Sequence, residues 1–470
     1  MLRTTAGLCV SLFFLFACGL GCSVLCLGEE ASPPDTQLLQ MVLELLREED
    51  KDIRGLALEQ IRNELKGEAV TRRLAEELPK LKSEAQVGLL GALVDRGDKA
   101  ARPAIVSLLK ETPDSAVRQA AMRALAFLGE PADAQLLLPF FLEGTDAERQ
   151  AAQFALTRIP GAEVGAAIIQ AAERASAEQF RRLIALLLER RESAATARLL
   201  EWAGSGDPAR RAAAVAALGD LAGPEQLPQM VRLVLATPPG RDREAVEKAV
   251  MLVCARIPDP EQRDASLLAA MKSLNETERV TLLPTLGRVG GKSALAMIEA
   301  AIQSQDAARH EAGIRAIANW PDGSVAERLI ELAQHDPHPA HRITCLRALI
   351  RVAPLATDRS DEEKLSLLKT AMSLCTRDEE RLLVLQRAQA IRHVATLRYL
   401  MTFLDQPAYA EAACLSIVEL AHHRDLREPN KAEFDKALDA VIRTSKDAVV
   451  VERANRYKKG QTWVRPKGSQ

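Results

Sequence analysis

One stretch constrains the fold of this chain more than any other feature, because a relative of it returns about every 31 residues. The stretch is DSAVRQAAMRALAFLGEP, residues 114–131. An acidic or small residue opens each copy, an arginine follows three or four positions later, an Ala/Leu face runs at helical spacing, and Gly or Pro closes it. Such a chain stacks one helical unit many times.

The spacing inside this stretch predicts an amphipathic helix. Asp114 is placed to accept hydrogen bonds from the free amides of the first turn, and Gly129 marks the helix end. The apolar residues of one helical stripe are Val117, Ala121, Ala124, Leu125 and Leu128. An intervening helix supplies the partner in each unit, because neither helix can bury its apolar face alone.

The period of about 32 residues, with two helical patterns in each, is typical of an α-solenoid. Hydrophobic residues make up 47% of the chain and aromatic residues only 3%, so the core must be built from Ala and Leu, which suits helices and not sheets. The residues expected to open the second helix of each unit are Asp50, Ser83, Asp114, Asp146, Ser176, Asp207, Asp242, Asn275, Asp306, His338, Asp378 and Gln406.

The pattern resembles HEAT repeats, and its short period resembles the bacterial HEAT-like units named after phycobilisome lyases. The resemblance is carried by a turn aspartate, the arginine after it and an Ala-x-x-Ala-Leu face, as in DSAVRQAAMRAL, DPARRAAAVAAL and DAARHEAGIRAI. It covers residues 37–459 and implies an all-α, right-handed solenoid of about 12–13 helix pairs. It implies no lyase activity, since the name follows a scaffold and not a catalytic motif.

The N-terminus predicts export. Residues 1–28 hold one arginine and a nearly unbroken apolar run, and a polar leader follows at residues 29–36. Three interpretations stay open: a secretion signal cleaved after Gly28, a lipoprotein signal with Cys18 as the lipidated residue, and an uncleaved membrane anchor. We therefore expect a periplasmic or extracellular protein. A flexible basic tail is expected at residues 460–470.

Charge and cysteine content exclude several function classes. The net charge of −2 implies neither nucleic acid nor an acidic membrane surface as a partner. Outside the signal there are four cysteines, all in helical patterns, with neither a disulfide framework nor a CxxC motif. Because no phosphate loop, GxSxG or HExxH motif is present either, we expect no cofactor and no enzymatic activity.

Recurring arginines near the start of second helices allow two interpretations. They could form a basic ladder that binds an acidic partner, or each could bond the turn aspartate or carbonyls of an adjacent repeat. We favour the second, because the aspartate recurs in step with the arginine. This structural ladder comprises Asp114, Arg118, Arg149, Asp207, Arg211, Asp306 and Arg309, and Arg279, Arg342 and Arg381 hold similar positions.

Two other side chains are better candidates for partner contact. Gln119 and Arg123 lie off the apolar stripe and should point into the groove of the solenoid. The sequence thus predicts a monomeric, non-enzymatic scaffold of the cell envelope that binds a protein of unknown identity along its concave face.

A histidine cluster supports an alternative function. His335, His338 and His341 lie within seven residues at a helix entry and are weak candidates for metal ligands. Their spacing matches no zinc motif, and the prolines between them also suit a helix start. An accessory to an enzyme or a weakly metal-binding protein is therefore the second hypothesis.

Overall fold

The computed structural model describes residues 33–464, which contain α-helices, short 3-10 turns and no strand. In chain order the helices are α1 (Pro33–Leu45), α2 (Lys51–Asn63), α3 (Glu68–Ala75), α4 (Ser83–Arg96), α5 (Arg102–Glu111), α6 (Ser115–Leu128), α7 (Ala134–Glu143), α8 (Asp146–Arg158), α9 (Ala162–Arg174), α10 (Ala177–Glu189), α11 (Thr196–Ala203), α12 (Pro208–Leu221), α13 (Leu227–Ala236), α14 (Arg241–Ala255), α15 (Arg263–Ala270), α16 (Glu276–Val289), α17 (Lys292–Ile302), α18 (Ala307–Ala318), α19 (Ala326–His335), α20 (Pro339–Val352), α21 (Asp361–Leu374), α22 (Asp378–Ala388), α23 (Val394–Met401), α24 (Ala410–His422), α25 (Arg424–Arg427), α26 (Lys431–Thr444) and α27 (Ala448–Lys458).

In chain order these 27 helices of the described residues make 13 consecutive pairs plus the short α25, since 2 × 13 + 1 = 27. We call the first helix of each pair the A helix and the second the B helix; α26 and α27 are the last pair. The predicted fold class, an all-α solenoid of HEAT-like helix pairs, is confirmed. The predicted B-helix starts lie within a few residues of the observed ones, the largest offset being at Gln406, before α24.

The chain divides into two compact units. Within the described residues, the first holds 33–133 and 144–155, and the second holds 134–143 and 156–464. In the first unit the B helices α2, α4 and α6 pack side by side, and α5 packs against α6. In the second unit each B helix from α10 to α24 packs against the next, while A helices such as α11, α13 and α15 form a parallel series.

The core is the predicted layer of Ala and Leu. All five stripe residues of α6 are almost fully buried, and Ala214, Ala217 and Leu218 repeat this pattern in α12. Small alanines let neighbouring helices approach closely, so the helices pack along most of their length. Two of the larger core residues are Trp202 and Phe180, whose rings meet edge to face at 5.0 Å.

A set of arginines at the ends of several B helices ties their repeats to the ones before them. Arg351, at the end of α20, donates to the carbonyl oxygens of Ala318 (2.9 Å) and Trp320 (2.6 Å), at the end of α18. These carbonyls have no partner inside their own helix and lie at the negative end of its dipole. Burial lowers the pKa of Arg351 from its usual value.

The same arrangement recurs in both units. Arg96 reaches the carbonyl oxygens of Ile61, Leu65 and Gly67, and Arg190 reaches those of Ile159 and Gly161, among others. Arg256 binds the carbonyls of Gly219 and Ala222. Sequence analysis missed these residues, although Arg190 − Arg96 and Arg351 − Arg256 are separations of 94 and 95, about three periods.

The ends of the chain lie partly outside the described residues. Residues 1–32, with the predicted signal, Cys18 and the first part of the leader, and residues 465–470 of the predicted tail are not described. Helix α1 already begins at Pro33, within the predicted leader, because proline fits the first turn of a helix. In the part described, none of the helices has the length and apolar character needed to cross a membrane.

We expect Arg351→Met to lower the free energy of unfolding by about 2 kcal/mol, because two partly buried carbonyls lose a charged donor. Urea unfolding followed by circular dichroism measures the change. Arg181→Met is the matched control: Arg181 is exposed on α10, and its loss should change stability by less than about 0.5 kcal/mol. Equal effects of the two substitutions would show that the carbonyl bonds contribute nothing specific.

Candidate functional site

The aspartates of the predicted ladder cap B helices. Asp114 Oδ1 accepts from the backbone amides of Ala116 (2.8 Å) and Val117 (3.3 Å), at the start of α6. The hydrogen bond from Ser83, followed by these amides, lowers the pKa of Asp114. Asp207 and Asp306 cap α12 and α18 in the same way. Their first role is therefore to satisfy the free amides of the first turn.

Arg118 joins its own A–B turn to the following repeat. Its guanidinium donates to the carbonyl oxygens of Thr112 (3.1 Å) and Pro113 (2.8 Å) and to Glu148 Oε1 on α8 (2.6 Å). The acidic partner is thus on the next B helix and is not the turn aspartate. Glu148 is buried, so this pair lies between the repeats and not on an open surface.

Arg211 repeats this geometry in the second unit. It donates to the carbonyl oxygens of Ser205 (3.0 Å) and Gly206 (3.1 Å) and to Asp242 Oδ2 on α14 (3.0 Å). Because α12 and α14 are consecutive B helices, the arginine again spans two repeats.

Two other ladder arginines use different partners. Arg149 bonds Asp146 in its own helix (2.7 Å) and the Gly144 carbonyl (3.0 Å). Arg309 pairs with Glu276 on the preceding B helix (2.6 Å). All four guanidinium groups are therefore engaged within the fold.

Glu380 is an almost fully buried acid that links two repeats. Its side chain is 1% exposed and lies between Arg347 of α20 (2.8 Å) and Arg377 before α22 (2.5 Å). The hydrogen bond from Arg377 lowers the pKa of Glu380, burial opposes this, and Arg347 adds to the lowering. The carboxylate therefore stays charged at neutral pH and holds two repeats together.

The two predicted contact residues lie on α6. Gln119 is half-buried and its amide donates to Ser115 Oγ (3.3 Å). Arg123 is exposed and makes no ion pair with any other described residue. The charge of Arg123 is thus available to a binding partner, since no described acid neutralises it.

Large apolar side chains are also exposed on the B helices of the first unit. Leu56 of α2, Val87 of α4 and Phe127 of α6 are 60%, 37% and 55% exposed. Since α2, α4 and α6 are neighbours, these residues and Arg123 form one surface, which we call the B face of the first unit. Sequence analysis missed its apolar part because it followed only the buried stripe.

The four cysteines of the described residues are free and buried. Burial raises the pKa of Cys254 and Cys345 to about 12 and that of Cys375 and Cys414 to about 11. At neutral pH they are therefore thiols within the core and not nucleophilic thiolates.

The structure brings together two of the three predicted histidines and adds another one. His338 and His341 lie together at the start of α20, but the third member is His310 of α18, and exposed His335 is not in the group. The ligand atoms of the three lie within 4.8 Å of one another. A signal for His310 was present in the sequence, since 341 − 310 = 31, one repeat period.

Comparison with known proteins identifies the repeats. A protein-family model described as HEAT repeats matches residues 71–157 and 165–251, so the chain contains HEAT repeats in these two segments. No curated protein sequence matches the chain.

Solved structures with a similar fold include karyopherins. A structure of Kap121p bound to the SUMO protease Ulp1p is 11% identical, with a TM-score of 0.42, and the match covers 91% of this chain and 53% of that one. A structure of Kap121p bound to Nup53p gives 10% identity, a TM-score of 0.41 and coverages of 87% and 53%. The structure of yeast importin-beta (Kap95p) is 11% identical, with a TM-score of 0.39, and the match covers 90% of this chain and 66% of that one. The chain spans about half the length of Kap121p.

We expect Glu380→Gln to lower the free energy of unfolding by about 1 kcal/mol at pH 7, since two half-exposed arginines lose the buried carboxylate that they share. A carboxyl group whose pKa is lowered by folding stabilises the fold above its unfolded pKa, about 4.3, and this contribution is lost as the pH falls further. The difference between wild type and variant should therefore shrink from pH 5 towards pH 3.

Urea unfolding at several pH values measures this difference. Glu379→Gln is the control, because Glu379 is exposed beside the same arginine. A constant difference between wild type and Glu380→Gln down to pH 3 would contradict the assignment of this pair.

Proposed function

We propose that the protein is a non-enzymatic scaffold that binds a protein partner through the B face of the first unit. The observation that carries the proposal is the exposure of Leu56, Val87 and Phe127, together with Arg123, on three neighbouring B helices. Scattered exposed apolar residues need no explanation, but a cluster on one layer supports an interaction surface.

The chemistry of this face suits protein recognition. Aromatic side chains and arginine are enriched among residues that contribute most to binding, and Phe127 and Arg123 lie one helical turn apart. Leu56 and Val87 would extend the apolar contact across α2 and α4. Gln119, one turn before Arg123, offers a polar group at its edge.

Two glycines on this face lack side chains and so leave the helix backbone accessible. Gly55 of α2 and Gly91 of α4 lie inside helices, where glycine costs about 1 kcal/mol relative to alanine. A methyl group added at either would meet no atom within 4 Å, so packing within the described chain does not require glycine there. A flat surface allows the backbone of a partner to approach closely, which supports docking of a helix or an extended segment.

The absence of enzymatic activity is part of the proposal. It is supported by the neutral buried thiols and by the ladder arginines, whose guanidinium groups already hold helix ends and acids together. We also propose that the protein is exported to the cell envelope, on the basis of the apolar N-terminal segment of the sequence. We propose in addition that it is a monomer.

Site-specific photo-crosslinking tests the binding surface. We expect a photoreactive residue at position 87 or 123 to crosslink one and the same protein in living cells, and one at Lys66 to give no such product. Lys66 is the control because it is exposed in the loop after α2. The purified partner should then bind the Arg123→Glu variant at least tenfold more weakly than wild type, as measured by calorimetry.

The matched variant Lys66→Glu carries the same charge change and should bind like wild type. Equal affinity of Arg123→Glu and wild type, with Gln119→Glu also without effect, would show that this face is not the binding surface.

The export proposal has its own test. Cleavage after Gly28 predicts a mature chain that begins at Glu29, whereas lipidation predicts one that begins at a modified Cys18. Intact-mass measurement of protein from the membrane and soluble envelope fractions separates these from the uncleaved chain. An unprocessed protein found only in the cytoplasm would contradict export.

A further inference from the structure

We propose that His310, His338 and His341 bind one divalent transition-metal ion of the zinc class, with the buried Asp336 holding the ligands in place. The site lies between two successive B helices of the second unit, α18 and α20. It is separate from the B face of the first unit and from the function proposed for that face.

The three imidazoles converge from two repeats. His310 lies in the first turn of α18, His338 is the N-cap of α20, and His341 lies in the first turn of α20. Their ring centroids are 4.9 to 6.0 Å apart, and the candidate ligand atoms all lie within 4.8 Å of one another. Small rotations about the side-chain bonds would bring three ring nitrogens to one ion.

The contacts of His310 leave one of its ring nitrogens available as a ligand atom. Its Nδ1 lies 2.6 Å from the carbonyl oxygen of Ile302 and must therefore carry the hydrogen. Its Nε2 lies 3.1 Å from Asp336 Oδ2. Nε2 is therefore the ring nitrogen of His310 that is left to hold an ion, with the Asp336 carboxylate beside it.

Asp336 is arranged as a positioning residue. Its side chain is 1% exposed, and it accepts hydrogen bonds from the backbone amide of His338 (2.9 Å) and, at 3.2 Å, from Nδ1 of His341. A carboxylate on Nδ1 fixes the tautomer and leaves Nε2 of His341 with a free lone pair, the usual support of a metal-binding histidine.

The third ligand is open to solvent. His338 is exposed, and neither of its ring nitrogens has a hydrogen-bond partner among the described residues. His310 and His341 are 14% and 17% exposed, so an ion could reach the group from solution. Three imidazoles suit zinc, copper or nickel ions better than magnesium or calcium, which prefer oxygen ligands.

Titration of the full chain, purified without a polyhistidine tag, with Zn²⁺ tests the proposal. We expect one ion per chain with micromolar or tighter affinity by calorimetry, and a rise in thermal unfolding temperature, since the ion links two repeats. Co²⁺ should give the visible absorption of a site with nitrogen ligands.

Three variants assign the ligands. His310→Ala should weaken Zn²⁺ binding at least a hundredfold, and Asp336→Asn, which leaves every ligand in place, about ten- to a hundredfold. His335→Ala is the matched control, because His335 is exposed in the same segment but outside the group, and it should bind as wild type. Circular dichroism establishes that each variant is folded.

The proposal is overturned if the folded wild type binds no Zn²⁺ at millimolar concentration. It is equally overturned if His310→Ala binds as tightly as wild type, or if His335→Ala loses binding to the same extent. In those cases the His310–Asp336 contact is only a hydrogen bond, and the cluster is a polar contact between repeats.

Discussion

The structure depends on the way the helix ends find hydrogen-bond partners, either in their own helix or in a neighbouring repeat. A stack of short helices exposes many free amides and carbonyls, and an unpaired buried carbonyl costs as much as a lost hydrogen bond. Aspartates such as Asp114 satisfy the amides locally, within their own helix. Arginines such as Arg351 satisfy the carbonyls at the end of the preceding B helix, and so the same bonds that complete one repeat fasten it to its neighbour.

These polar links complement a core of small residues. An alanine buries little apolar area, so each helix pair gains less from hydrophobic burial than a pair built from large side chains. Close approach compensates in part, as at Gly287 of α16, where an added methyl group would lie 2.0 Å from the Ala316 carbonyl oxygen of α18. Buried acids such as Glu380 add direct charge pairs between repeats.

The sequence predicted the fold well because its information is local. The stripe from Val117 to Leu128 and the cap at Asp114 are patterns within one helix, and both are as expected. Contacts between repeats were harder to predict. The acceptors of Arg351 are main-chain atoms and leave no pattern in the sequence, and the partner of Arg118 proved to be Glu148, 30 residues away. His310 lies beside His341 because the two residues are one repeat period apart, and a motif search within one helix does not detect such a pair.

The arginine ties to main-chain carbonyls have a consequence for how such an array can grow. Any residue type offers the same carbonyl, so only the donor has to be encoded. A duplicated unit that carries such an arginine therefore brings a donor for the unit before it, and its own carbonyl groups are available to an arginine of the unit after it. The rest of its sequence is then free to diverge, which lets one architecture carry different surfaces along its length.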